Sequence, residues 1–581
     1  MNRHFRNFTT VVYIPAWIGQ DLTREKLETD YAFIEKYIGL DKVYLESHRG
    51  GIDVKEEQLK MIRDFLQDKG VAVSGGITTT IDDFDGAENG KRRLFNTFCY
   101  TDPAMRSKLK KISEYTARLF DEVILDDFYF TNCTCERCIK EKGDRDWAEF
   151  RHELMMDVSK NLVVEPAKAV NPSVKMVIKY PNWRESFHFT GYVPEAQGDV
   201  FDATYIGTET RHPKYTDQHL PEYLSYSLVR FMENAWPGRC GGGWFDTYQC
   251  YSTDRYQEQA YLTAFARAGE LMFFQWGDLI DNPYVCAMGL QIGKIDALMD
   301  KVGKPCGIPV YIPHASSGED HIEMRLGMLG LPVEPVPYFP ATEPRLLLTE
   351  SALADKSIVD KLAAYVEKGG DAVVTTGFFK GAGDELRRRG LTEAYLSGGS
   401  VNAIRYQVTG DYAGNILNCE AVSFPEIVHG NNASWSLLNA GDGDEHSSIF
   451  LRSAYGKGRL YLMAVPEHGS DIYRLPEGAV DVLKRALLFD GHDTYVSGKD
   501  ISMFTYDDGS IILYRYVKND ACTTRVILHT SRKVKALKEA GSGREIPVRE
   551  VVVFEDFERH VEYVADVFTQ PGAFDLYRWE E

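Results

Sequence analysis

The stretch Val123-Ile124-Leu125-Asp126-Asp127-Phe128, with Cys133-Thr134-Cys135-Glu136-Arg137-Cys138 close behind it, decides how this chain is read. An apolar run ending in carboxylates reads as a buried parallel strand with its chemistry at the carboxyl end. The cysteines read as metal ligands. With Cys99 they supply four thiolates, the tetrahedral environment of structural zinc, and leave no open position for a catalytic water. The competing reading makes Cys99 a small buried hydrophobe with the other three merely nearby. Three cysteines within Cys133–Cys138 are hard to explain by packing alone. No organic cofactor is expected.

Outward from this strand, short apolar runs alternate with amphipathic stretches, the pattern of a parallel sheet with helical crossovers. Thr10–Pro15, Lys42–Glu46 and Val71–Ile77 read as strands one to three, and Glu122–Asp126 as strand four. Lys175–Tyr180, Ala203–Gly207, Trp244–Asp246 and Leu271–Trp276 complete eight. Leu27, Tyr31, Ile34 and Ile38 keep helical spacing between the first two strands. Asp102-Pro103 reads as a helix N-cap followed by proline at the first helical position. The expectation is a (β/α)8 TIM barrel over residues 1–303.

The pattern restarts as a smaller doubly wound α/β domain over 304–493, with Ile308–Ile312, Arg345–Thr349, Ala372–Thr375 and Gly458–Met463 as strands. It is expected to close with the helix before Phe489. From 494 to 581 alternating runs and turn pairs, such as Asp507-Asp508-Gly509, predict a small antiparallel β domain.

A chain of 581 residues with a formal charge of −20 and 44% hydrophobic residues is globular and acidic throughout. That excludes nucleic acid and anionic membrane as natural partners, since both reward clustered lysine and arginine. No apolar run approaches the roughly 20 residues that span a bilayer. The run after the basic start contains Pro15 and reads as a strand, not a signal peptide. Ten cysteines are too sparse for a disulfide scaffold in a chain of this length. The compartment expected is the reducing cytoplasm; a periplasmic or secreted protein would need a leader that has been removed.

Cleaving a glycosidic bond takes two carboxyl groups facing across it. Asp126, Asp127, Glu209 and Asp246 stand at the ends of strands four, six and seven, so all four are catalytic candidates. Neighbours on a strand face opposite ways, so one of Asp126 and Asp127 is expected to look into the pocket; both stay open. Glu46, His48, Arg49, Lys179, Asn182 and Arg211 offer hydroxyl binders at other strand ends. Trp17, Trp183, Trp244 and Trp276 offer platforms for sugar rings, or simple aromatic caps on a large barrel.

The chain resembles the family 42 β-galactosidases and their glycoside-hydrolase-like relatives. Cys99, Cys133, Cys135 and Cys138 match that family's zinc ligands, and Phe274-Gln275-Trp276 is similar to its strand-eight motif. Leu362-Ala363-Ala364-Tyr365-Val366 and Tyr455-Gly456-Lys457-Gly458 resemble parts of its glutaminase-like trimerisation domain. The resemblance implies an oligosaccharide or glycoside substrate, a homo-trimer and a non-catalytic middle domain, with Thr375-Thr376-Gly377 where a nucleophile elbow would stand. It also exposes departures. The family's strand-four Asn-Glu is Asp126-Asp127 here, making Asp127 the positional acid/base, and its strand-seven nucleophile falls at Asp246. Met232-Glu233 fits that nucleophile by letters but lies on a helical pattern. The function expected is exo-acting, retaining glycoside hydrolysis. A sugar-binding barrel without activity is one alternative, and an α-galactosidase-type enzyme pairing carboxylates of strands four and six is the other.

Overall fold

The structure is a computed structural model that describes residues 4–82, 94–408, 416–430, 433–442, 445–488, 492–516, 522–530, 532–555 and 558–581. It forms two compact units, Met1–Asp300 and Lys301–Glu581.

The first unit is a closed barrel of eight parallel strands: β1 (Thr9–Ile14), β2 (Lys42–Arg49), β3 (Ala72–Ile77), β4 (Glu122–Leu125), β5 (Lys175–Tyr180), β6 (Ala203–Gly207), β7 (Cys240–Asp246) and β8 (Glu270–Phe274). Closure is direct, because β1 pairs with both β2 and β8. Alternate residues point inward, and Val11, Tyr13, Tyr44, Ile124, Val177, Tyr205, Trp244 and Met272 pack as one buried cluster. The helices form as their patterns require. Asp102 caps its helix by accepting from the N–H groups of Ala104 and Met105, with Pro103 behind it.

Three details depart from the sequence reading. Gly241–Gly243 lie inside β7 rather than before it. A Cβ on Gly242 would sit 2.4 Å from the Glu270 carbonyl oxygen, so the close approach of β7 to β8 requires glycine there. β4 stops at Leu125, so Asp126 and Asp127 are loop residues no longer bound to strand alternation. β8 stops at Phe274, and Trp276 opens the short helix Trp276–Leu279.

In the second unit, β9 (Ile308–Tyr311), β10 (Val333–Val336), β11 (Arg345–Leu348), β12 (Asp371–Thr375) and β17 (Gly458–Met463) form the parallel part of one sheet in the order β10-β9-β11-β12-β17. The sheet continues into an antiparallel extension that the sequence reading lacked: β13 (Tyr395–Val408), β14 (Ile416–Val428), β15 (Ser434–Asp442) and β16 (Glu445–Tyr455). The expected helix is Glu477–Leu488; Phe489 lies outside the described residues. Antiparallel strands follow, among them Ile501–Tyr506, Ile511–Arg515, Cys522–Thr530 and Glu545–Glu555. Among the described residues no helix is long and apolar enough to cross a membrane.

Candidate active site

The carboxyl ends of the barrel strands carry a continuous network of buried charge. Lys179, the penultimate residue of β5, is at its centre, with its ammonium over the Trp244 ring at 4.1 Å. Its Nζ lies 2.5 Å from Asp127 Oδ2, 3.7 Å from Asp126 Oδ1 and 3.8 Å from Glu209 Oε1. Three of the four catalytic candidates therefore converge on one cation. The legs to Asp127 and Glu209 cap the distance between those two carboxyl oxygens at 6.3 Å.

Asp126 is buried and held from several sides. Arg49 Nη2 and Thr78 Oγ1 donate to its Oδ2, and its Oδ1 accepts the Asp127 N–H at 2.8 Å. Burial alone would raise its carboxyl, but Arg49 and Lys179 outweigh that and hold it below the ordinary range. Asp127 behaves in the opposite way. Burial, then repulsion from Asp126 and Glu209, pushes its carboxyl up to about 7 against the pull of Lys179. Glu209 is raised as well, by burial and by Asp246. Its Oε2 is buried with no hydrogen-bond partner. Asp246 ends β7 in a bidentate pair, accepting from Arg211 Nε at 3.0 Å and Nη2 at 2.6 Å. It takes the Tyr248 N–H as well.

The remaining predicted residues divide by surroundings. Glu46 is fully buried and saturated: it accepts from the Tyr13 hydroxyl at 2.7 Å, the Ala16 N–H, Thr78 and Arg49. Arg49 thereby joins Glu46 to Asp126, and its guanidinium lies 5.1 Å from the Trp17 ring and 5.3 Å from Phe128. Trp17 is 39% exposed at this rim. Asn182 donates to the Glu209 carbonyl at 2.8 Å and so fixes the backbone of the β6 end. Trp183 is half-buried against Phe130 and Tyr192.

Two expectations are corrected. His48 is buried, with Nδ1 at 2.5 Å from Asp53 and Nε2 at 3.3 Å from the Thr80 carbonyl, so it ties a loop and has no ring nitrogen left for a sugar. Trp276 is fully enclosed and donates its indole N–H to Asp30 at 3.0 Å, an anchor and not a platform. Glu233 lies on the helix Leu224–Ala235 and accepts the Gly238 N–H, close to Cys240 at the amino end of β7 and not at the carboxyl ends. Tyr13 and Thr78, both in the network, were not singled out from sequence. Tyr13 could have been: it shares the inward parity of Val11, where a polar atom needs a partner.

Cys99, Cys133, Cys135 and Cys138 come together, all four sulfur atoms within 4.8 Å of one another. Cys99 Sγ lies 3.7 Å from Cys133, 3.8 Å from Cys135 and 3.8 Å from Cys138. Those distances match the edge of a thiolate tetrahedron, about 3.8 Å for metal–sulfur bonds near 2.3 Å. The cluster could hold a metal ion, with no ligand position left over for substrate.

Residues 1–288 match the family described as "Probable glycosyl hydrolase, catalytic domain". Residues 303–468 match the second domain of the uncharacterized protein SSO3021. That protein, from Saccharolobus solfataricus, is 26% identical over 502 residues, covering 79% of this chain and 82% of the relative. Among solved structures, a catalytic mutant of Gan42B, a family 42 β-galactosidase from G. stearothermophilus, superposes with a TM-score of 0.63 at 11% identity over the full length of both chains. The fold is that of the family 42 β-galactosidases. Alpha-L-fucosidase isoenzyme 2 from Paenibacillus thiaminolyticus superposes with a TM-score of 0.66 at 11% identity, over 98% of this chain and 100% of its own. The barrel is thus a glycosyl-hydrolase-like domain within a family 42-like architecture.

Proposed function

We propose that the chain is an exo-acting, retaining glycoside hydrolase in which Asp127 is the acid/base and Glu209 the nucleophile. The observation that carries this is the Lys179 bridge. It keeps the nearest oxygens of Asp127 and Glu209 within 6.3 Å. Retaining pairs stand about 5–5.5 Å apart, whereas inverting pairs need about 6.5–9.5 Å to admit a water. This is the strand-four and strand-six plan, in place of the strand-four and strand-seven pair that the resemblance implied. Asp246 is the weaker nucleophile candidate because both of its oxygens are engaged by Arg211.

In the first step Asp127, protonated up to about pH 7, gives its proton to the glycosidic oxygen while a Glu209 oxygen attacks the anomeric carbon. The bond to the leaving group breaks and a glycosyl ester forms on Glu209. Lys179 stabilises the Asp127 carboxylate left behind. That carboxylate then takes a proton from water as the water attacks the ester, and the sugar leaves with its starting configuration. Arg49 and Arg211 are already neutralised by carboxylates, so a neutral sugar fits the pocket better than an acidic one.

The proteins of like fold are named for galactosides and L-fucosides, which makes those the first substrates to try. A panel of α- and β-linked aryl glycosides tests the proposal. Release of aglycone that disappears in Asp127→Asn and Glu209→Gly is expected. Sugar binding in calorimetry without turnover of any member would favour the inactive-barrel alternative.

Within the same reading the four cysteines hold structural zinc, which would brace the loop carrying Asp127. Residues 304–493 form the oligomerisation module of a trimer, followed by the β domain at 494–581, and the free cysteines suit a reducing compartment. Metal analysis of native protein and its mass in solution test the first two.

A further inference from the structure

The network that holds Asp246 continues outward as aromatic surface. Trp244, under the Lys179 ammonium, packs at 5.1 Å from Phe274, and Phe274 at 6.2 Å from Tyr248. Exposure rises along this series, from 3% at Trp244 through 9% at Phe274 to 41% at Tyr248. The rings form a wall running from the carboxylates to solvent. Tyr248 is anchored through its backbone, whose N–H donates to Asp246 Oδ1 at 3.1 Å.

Beyond it the loop after β7 carries Tyr251, 63% exposed, and the loop after β6 brings His212 and Tyr215. The His212 ring lies 4.5 Å from Tyr215 and 6.3 Å from Tyr251. The two loops are tied by the Arg211–Asp246 pair and by the His212 N–H donating to the Gln249 carbonyl at 3.1 Å. Gln249 and Tyr251 both hold left-handed backbone, φ 50° and 59°, conformations kept only where the surroundings enforce them. Large exposed aromatic rings on a braced loop beside a reactive centre mark a recognition surface.

We propose that Tyr248 and Tyr251, with His212 and Tyr215 beside them, form the leaving-group subsite of the enzyme and accept the carbohydrate rings beyond the bond that is cut. This rests on the hydrolase reading above. A sugar suits the surface because its guanidinium is paired and its outer cation lies against a ring, with Lys214 Nζ 5.5 Å from the centre of Tyr215. Arg211 is paired, and His212 Nδ1 accepts the N–H groups of Lys214 at 3.1 Å and Tyr215 at 3.3 Å, which leaves that nitrogen without a proton, while burial and Arg255 lower the ring's pKa. What remains is ring faces for C–H stacking and hydroxyl and imidazole groups for hydrogen bonds.

The test compares leaving groups with and without a ring. Wild type, Tyr248→Ala, Tyr251→Ala and the corresponding Phe variants are assayed on galactosyl and L-fucosyl fluorides, and on lactose and 2′-fucosyllactose. Binding of the two oligosaccharides is measured in parallel by calorimetry. The ratio of kcat/KM for oligosaccharide over fluoride is expected to fall about tenfold in each Ala variant, mainly through KM, and to recover in the Phe variants. An unchanged ratio, including equal losses on both substrate types, overturns the subsite. If wild type turns over nothing yet binds an oligosaccharide, and Tyr248→Ala abolishes that binding, the hydrolase reading fails while the subsite stands. If neither turnover nor binding is found, both are overturned.

Discussion

The barrel holds a buried lysine among carboxylates at each of its two ends, and the two clusters are built on opposite principles. At the amino ends of the strands Lys42 meets Glu122 and, at 2.8 Å, Glu270, while Lys175 reaches Glu122 at 3.0 Å. The Tyr44 and Ser74 hydroxyls also donate to Glu122. Two cations serve two carboxylates. Burial would raise the Glu122 carboxyl, but Lys42 and Lys175 win and hold it at about 2. At the carboxyl ends Arg49, Lys179 and Arg211 face Glu46, Asp126, Asp127, Glu209 and Asp246. Burial first, and then the surplus of negative charge, lifts Asp127 to about 7. An orphan oxygen does not separate the two ends, since Glu270 Oε2 lacks a partner as Glu209 Oε2 does. Charge balance does: cations match carboxylates at one end and are outnumbered at the other, where the proposed reading needs a proton held on Asp127.

The largest expected contrast is in activity. Asp127→Asn and Glu209→Gly should lower kcat/KM on whichever aryl glycoside is turned over by about 10²–10⁴-fold. Glu122→Gln, at the opposite end, should leave it within about threefold, because the amino ends of barrel strands serve stability and lie away from the chemistry. Wild-type kcat/KM should fall above pH 7 as Asp127 loses its proton, and Lys179→Met should move that limb upward by removing the opposing charge. A large activity loss in Glu122→Gln would erase the contrast.

The next effect is on stability. Lys42→Met leaves two partly buried carboxylates without their shared cation, Glu122 keeping only Lys175, and should cost up to about 3 kcal/mol in urea unfolding at pH 7. A smaller effect separates the ends by the sign of their pH dependence. The lowered Glu122 contributes stability that is present above its unfolded value and lost as pH falls toward 2. The raised Asp127 does the reverse: between about pH 4 and 7 the folded state holds a proton that the unfolded chain has released, so stability falls as pH rises. Asp127→Asn should therefore stabilise the protein at pH 8 by about 1–2 kcal/mol, reduced by the lost Lys179 contact and partial exposure. Destabilisation there would mean that Asp127 is paired structurally, like Glu122.

Most of the barrel was legible because its strands are short apolar runs at regular spacing, and the cysteines because ligand spacing survives in sequence. Three kinds of feature were not. β7 opens on Cys240 and runs through Gly241–Gly243, which carry no side-chain signal and show as strand only by pairing with β6 and β8. The strands Tyr395–Val408 to Glu445–Tyr455 alternate weakly and are built by pairing with one another, which no local pattern announces. The roles of Glu46, His48 and Trp276 depend on Tyr13, Asp53 and Asp30, and those pairings become visible only when the elements are brought together. The choice between Asp126 and Asp127 stayed open for a related reason: alternation ends at Leu125, and Lys179 collects both.

The most direct test of the Asp127–Glu209 assignment is the configuration of the product formed by Glu209→Gly with an activated aryl glycoside and sodium azide, read by proton NMR. Azide should restore turnover and give a glycosyl azide of inverted configuration, because it fills the space of the missing nucleophile. A glycosyl azide of retained configuration would mark Glu209 as the acid/base. Full activity of Glu209→Gly without azide would remove it from the chemistry altogether.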